Sequence, residues 1–208
     1  DHVTATHPEY TRFRRLMTAE VNAAICGAFA GGADDVTVSD GHGGGGNLLL
    51  EELDERARLN TGSPAPLSML QGLGPDVGGV VFVGYHARAG TAEAILDHTW
   101  AGAALGVWLN GREVGEIGLN AAVCGHFGVP VIAVSGCAAA CAEARQLLGE
   151  IATASVKRGT SRTAAECLSP SAARRAILEA ARDGVNRLRT GQPPRPFVLA
   201  APVALEVD

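Results

Sequence analysis

Val80-Val81-Phe82-Val83-Gly84-Tyr85-His86 is the stretch that decides the fold. Four apolar residues in a row read as a strand buried on both faces, the pattern of a parallel sheet covered by helices. Gly84 ends the run and His86 follows. In an open α/β sheet the carboxyl ends of the strands carry the chemistry. Taken alone, His86 reads equally well as a loop histidine bonded to backbone. A second strand end built the same way, Val36-Thr37-Val38-Ser39-Asp40-Gly41-His42, strengthens the functional reading.

Outward from that strand, helical and extended patterns alternate. Phe13, Leu16, Met17, Val21, Ala24, Ile25 and Phe29 recur at helical spacing and predict a helix from about Glu9 to Phe29, stopped by Gly31-Gly32. Short strands are expected at Asp35–Ser39 and Ala57–Asn60, with helical turns at Leu48–Leu53 and Pro66–Leu73. Ala87–Ala104 has no period, and a long loop inside a domain is often functional. Leu105–Asn110 and Arg112–Val114 flank an Asn110-Gly111 hairpin signal. A helix over Glu116–Phe127 carries glutamate in its first turn, which suits the helix dipole. A strand at Val129–Val134, a helix at Ala138–Leu148 and a strand at Ile151–Val156 come next. Ser169-Pro170 caps and opens a long helix to about Leu188, and Phe197–Val207 is a last strand region. The fold class is therefore α/β, a mostly parallel sheet flanked by helices in an α/β/α layering.

Composition narrows the function. The chain has 208 residues, a net charge of -5, 47% hydrophobic residues and 4% aromatic ones. The core is accordingly built from Ala, Val and Leu, and the dispersed basic residues argue against a nucleic-acid partner. No apolar run approaches the ~18 residues of a membrane span. Five cysteines without a framework spacing fit a reducing compartment, so a cytoplasmic location is expected. Cys137 and Cys141, four apart in a helix, read as small packing residues.

Gly41-His42-Gly43-Gly44-Gly45-Gly46 matches both G-x-G-x-x-G and an HGGG oxyanion loop. Neither match has its context, since no acidic residue stands about 20 positions on and no G-x-S-x-G occurs. The glycines are better read as letting backbone approach a ligand or metal, or as a flexible surface loop. Of the six histidines, His2 and His7 fall in an irregular start, and His126 reads as structural. His42, His86 and His98 stand out. Imidazole and carboxylate are the usual nitrogen and oxygen ligands of zinc, and Glu116 can supply the carboxylate. Asp40 could support a ligand histidine, cap a helix or be solvated in its loop.

Several segments, in order, resemble the zinc-dependent D-aminopeptidase family of the type found in dipeptide-transport operons. They are Val38-Ser39-Asp40-Gly41-His42, Gly84-Tyr85-His86-Ala87-Arg88-Ala89, Asp97-His98-Thr99 and Gly115-Glu116-Ile117-Gly118-Leu119-Asn120-Ala121. Ser155-Val156-Lys157, Ser161-Arg162 and Cys167-Leu168-Ser169-Pro170 continue the likeness. The resemblance implies an α/β enzyme with two neighbouring zinc ions that removes N-terminal D-amino acids from short peptides or amides. It implies a homo-oligomer of stacked rings, a decamer being one such assembly. It makes His42, His86 and Glu116 zinc ligands and His98 the catalytic histidine. The family's remaining ligands lie in an Asp-x-Glu-Gly segment on a first strand. Residues 1–208 would then be one α/β catalytic domain lacking that strand and the family's C-terminal end. Two further readings stand beside the enzyme: a non-catalytic metal- or ligand-binding relative, and an amidase or L-peptidase on the same scaffold.

Overall fold

A computed structural model of the chain describes residues 6–208, so His2 lies outside the described residues. The helical spacing near the start produces α1 (Tyr10–Gly31), closed by Gly32, whose N–H reaches the carbonyls of Ala28 and Phe29. Next come β1 (Val36–Ser39), β2 (Ala57–Asn60), β3 (Val80–Tyr85), β4 (Val107–Leu109) and β5 (Arg112–Glu113). Then follow α2 (Glu116–His126), β6 (Val131–Cys137), α3 (Ala138–Leu148), β7 (Ala152–Ser161), β8 (Ala164–Cys167), α4 (Pro170–Arg189) and β9 (Leu205–Val207).

The main sheet has the order β3-β6-β7-β8, with β3, β6 and β7 parallel and β8 antiparallel at the edge. β6 is buried at every residue, as a central strand between two helical layers must be. On one face α1 and α4 pack together, and Ala24, Ala133, Ala154, Ile177 and Ala181 fill the space beneath them. On the other, α2 and α3 bury Ile117, Ala121, Cys124, Ala140 and Ala144 against Phe82 and Val134. The low aromatic content is thus matched by closely stacked small side chains. Burial pushes the Cys141 thiol up to about 11, so it acts as a small apolar group.

Two smaller sheets flank this core. β1 and β2 pair in parallel, with Val36 opposite Ala57. β5, β4 and β9 form an antiparallel sheet, and Asn110 and Gly111, both at positive φ, make the β4–β5 turn. β7 runs five residues past its expected end and folds back as β8. Its outer half is polar and mostly exposed, so it shows no buried period. Of the strand expected at 197–207, three residues form β9, because Pro193, Pro194, Pro196 and Pro202 deny the preceding chain a regular ladder. No helix among the described residues is long and apolar enough to cross a membrane.

Candidate active site

β3 delivers the first residue of the site. Gly84 sits at φ 76° and its N–H donates to Ser135 Oγ (3.1 Å), breaking the register with β6 between Phe82 and Tyr85 just before His86. Glu116 is the first residue of α2, where the helix dipole favours a carboxylate. Gly115 caps that helix, and a Cβ there would stand 2.6 Å from Arg88 Cβ. Only glycine lets the start of α2 press so closely on the segment that follows His86. His98 comes from the long segment between β3 and β4.

The three side chains meet. His86 Nε2 lies 3.4 Å from Glu116 Oε2, and His98 Nε2 lies 3.9 Å from Glu116 Oε1. The two imidazoles stack with centroids 3.8 Å apart at 20°. One ligand atom from each residue falls within 4.8 Å of the others. The Trp100 N–H donates to Glu116 Oε1 at 2.9 Å, so both carboxylate oxygens are engaged. Glu116 is 7% exposed, against 20% for His86 and 35% for His98, which opens the site on the His98 side.

Backbone carbonyls set the tautomers. His86 Nδ1 lies 3.0 Å from the Ala87 carbonyl and His98 Nδ1 lies 2.7 Å from the Leu96 carbonyl. A carbonyl only accepts, so each Nδ1 carries the proton. In the neutral imidazoles each Nε2 then keeps its lone pair for the shared space. Burial works to lower the His86 pKa, but the hydrogen bond and charge of Glu116, the Ala87 carbonyl and the charge of Glu143 outweigh it and hold it above its ordinary value. Burial likewise works to raise Glu116, but His86, the Trp100 N–H and His98 hold it below the usual carboxylate range.

Two imidazole nitrogens and one carboxylate oxygen are zinc donors, and bonds of ~2.0–2.1 Å in a tetrahedron place neighbouring donors roughly 3.3 Å apart. The 3.4 Å spacing of His86 and Glu116 fits that distance, so the residues present suit the ion.

His42 is not one of the three residues that meet. It is exposed on the glycine-rich loop after β1, outside the group formed by His86, His98 and Glu116. β1 pairs with β2 in a separate small sheet, and Val36 and Val38 pack in one apolar cluster with Val83 of β3. Asp40 ties this loop together, its carboxylate accepting from Asn47 N (2.6 Å), Asn47 Nδ2 (2.9 Å) and Leu48 N (3.0 Å). The loop nevertheless reaches the rim of the site. Gly41 packs on Met69, whose sulfur takes a hydrogen bond from Asn120, one turn beyond Glu116 on α2. Asn120 also donates to the Tyr85 hydroxyl at 2.8 Å. His7 is exposed beside Phe13, and His126 is exposed at the end of α2, edge-on to Phe127.

The pattern reading missed Glu143. From α3 its Oε2 accepts the Arg88 N–H at 2.8 Å, while its Oε1 is buried without a hydrogen-bond partner among the described residues. The signal was present, because Ala140, Glu143, Ala144 and Leu147 share one helical stripe and the other three are apolar. Burial pushes the Glu143 carboxyl above its ordinary value, against the opposing effect of Arg88. A carboxyl raised in the folded state contributes stability below its unfolded pKa, ~4.3, and that stability is lost as pH rises through the folded value. Glu143→Gln keeps an acceptor for the Arg88 N–H but cannot ionise. In metal-free protein, the fall in melting temperature between pH 4 and 7 should be shallower for the variant than for the parent. Identical pH profiles would show that the charge is not held in a buried place.

Known proteins resemble the chain in sequence and in fold. The D-aminopeptidase family model matches residues 1–208. A curated D-aminopeptidase of Bacillus subtilis (strain 168) is 42% identical over 170 residues, which is 82% of this chain and 62% of the relative. The chain thus spans about 62% of the length of that relative. Among solved structures, the zinc-dependent D-aminopeptidase DppA from Bacillus subtilis, described as a self-compartmentalizing protease, superposes with a TM-score of 0.93. It is 35% identical, and the match covers 99% of this chain and 74% of that one.

Proposed function

The chain belongs to the D-aminopeptidase family, and on that premise we propose that it works as a zinc-dependent aminopeptidase releasing N-terminal D-amino acids from short peptides and amides. The observation that carries this reading is the meeting of His86, His98 and Glu116 within 4.8 Å at the end of β3 and the start of α2. His86 and Glu116 would hold one ion. His42 is assigned to a second ion on the family resemblance rather than on distance. The resemblance assigns the remaining carboxylates to an Asp-x-Glu segment.

When bound, zinc would supply Lewis acidity toward a peptide carbonyl and a lowered pKa for water. The protein's own groups do the rest. Glu116 is held by the Trp100 N–H, so its carboxylate stays in place as charge changes around it. His98, its Nδ1–H committed to the Leu96 carbonyl, presents Nε2 as the base. That nitrogen can take a proton from an attacking water and return it to the leaving amine, the ordinary work of a positioned imidazole near neutral pH. Zinc ligation by His98 is the competing reading, suggested by its place in the same group of donor atoms, and it would occupy the same Nε2 and exclude acid–base work there.

The decisive test is zinc quantification together with hydrolysis of D-alanyl and L-alanyl amides by the full encoded chain. Zinc with preference for the D-amide supports the proposal. Zinc without hydrolysis makes the protein a metal-binding relative, and preference for the L-amide makes it a different hydrolase.

Homo-oligomeric assembly is part of the proposal. DppA is described as self-compartmentalizing, and in this chain Leu105, Val198, Val203, Leu205 and Val207 are each more than half exposed on or beside the β5-β4-β9 sheet. Exposed large apolar side chains in such number are what a subunit contact would cover. Mass measurement in solution would test it. The five free cysteines support a cytoplasmic location.

A further inference from the structure

The segment that carries His98 is held from outside the site, by the turn between β7 and β8. Arg162 Nε donates to Asp97 Oδ1 at 3.0 Å, and a terminal nitrogen of the same guanidinium donates to the Asp97 carbonyl at 3.0 Å. The Arg162 carbonyl accepts the Leu96 N–H at 2.8 Å. Arg162 therefore grips both residues that precede His98, once through its backbone and twice through its side chain. The other Asp97 oxygen accepts the Gly90 N–H at 2.8 Å, which pins the far end of the segment to the same carboxylate.

The contacts lead to the imidazole in one step. Leu96, whose N–H is held by Arg162, uses its carbonyl to accept the His98 Nδ1–H at 2.7 Å. Around it, Glu93, Leu96 and Trp100 all adopt positive φ, between 51° and 61°. Non-glycine residues keep that conformation when their surroundings impose it, and such residues cluster at functional sites. β7 itself lies hard against the segment, since a Cβ on Gly159 would stand 2.5 Å from the Glu93 carbonyl.

We propose that Arg162 is a positioning residue: the two side-chain contacts it makes with Asp97, added to its backbone hold on Leu96, fix the orientation of the His98 ring and the direction of its Nε2. The Arg162 side chain is 58% exposed, and exposed ion pairs contribute little to global stability. Order in one segment, rather than stability of the whole, is what such a clamp supplies. The planar fork of arginine matters, because it reaches a side-chain oxygen and a main-chain oxygen together.

This inference rests on the reading of His98 as the acting imidazole, and its test separates the two. In the zinc-free full chain, Arg162→Ala should speed amide hydrogen exchange in residues 88–104 and leave α1, α4 and the parallel strands unchanged. That readout needs no activity. In the zinc-loaded protein, kcat on a D-alanyl amide should fall by at least ~10-fold, since small misplacements of a reacting group cost that much or more. KM, zinc content and melting temperature should remain close to the parent's. Added guanidinium should restore part of the lost kcat to Arg162→Ala, whereas Arg162→Lys, with no fork, should remain impaired. Unchanged exchange in residues 88–104 would overturn the clamp. Parallel loss of zinc, melting temperature and kcat, without rescue by guanidinium, would reduce Arg162 to a structural residue. An inactive parent with the exchange effect intact would fault the enzyme reading and leave the clamp standing.

Discussion

Replacing His98 with alanine is expected to lower turnover of a D-alanyl amide by at least ~100-fold, the low end for loss of an acid–base group, with zinc content near that of the parent. His98 is the most open member of the triad, at 35% exposure, and so the one a substrate can reach. Its Nδ1–H is committed to the Leu96 carbonyl, which leaves Nε2 as the working atom 3.9 Å from Glu116. Loss of zinc in step with activity would make His98 a ligand instead. Unchanged turnover would make it a bystander that merely stacks on His86. Metal analysis and kinetics on the same preparation distinguish the three outcomes.

The second large effect is expected at Glu116. It is the only carboxylate of the group, and its oxygens face His86, His98 and the Trp100 N–H. Losing a partner that merely supports a ligand costs 10–100-fold in metal affinity, so Glu116→Gln should weaken zinc binding by at least ~100-fold and abolish measurable hydrolysis. The amide keeps an acceptor for the Trp100 N–H, so the fold should survive. The zinc-free protein offers an independent readout. His86, raised in the folded state, contributes stability below its ordinary pKa, ~6.5, which is lost as pH rises through the folded value. Glu116, lowered in the folded state, contributes stability above ~4.3, which is lost as pH falls through its folded value. These are one interaction seen from its two ends, with its greatest effect between those limits. Glu116→Gln should remove that added stability from a plot of melting temperature against pH. Normal zinc affinity in the variant would remove Glu116 from the metal site.

The elements that the sequence makes legible are those with a local period. The helical spacing of Phe13 to Phe29, the Ser169-Pro170 start of α4 and the Asn110-Gly111 turn all appear where their residues place them. The same holds for His86 at a strand end and Glu116 in the first turn of a helix, because strand ends and helix starts are marked within a few residues of chain. β8 left no such mark, since an exposed edge hairpin buries no alternating face. The partners of the site were hidden for a different reason. Arg162 reaches Asp97 across 65 residues and Glu143 reaches the Arg88 N–H across 55. His98 stacks on His86 from an aperiodic segment in which Glu93, Leu96 and Trp100 adopt positive φ, conformations that no local period announces. Side-chain periodicity is a property of neighbouring residues and is written along the chain. The convergence of the histidines and the glutamate depends on hydrogen bonds between separate elements, and only the packed sheet with its helices on both faces brings those elements within reach.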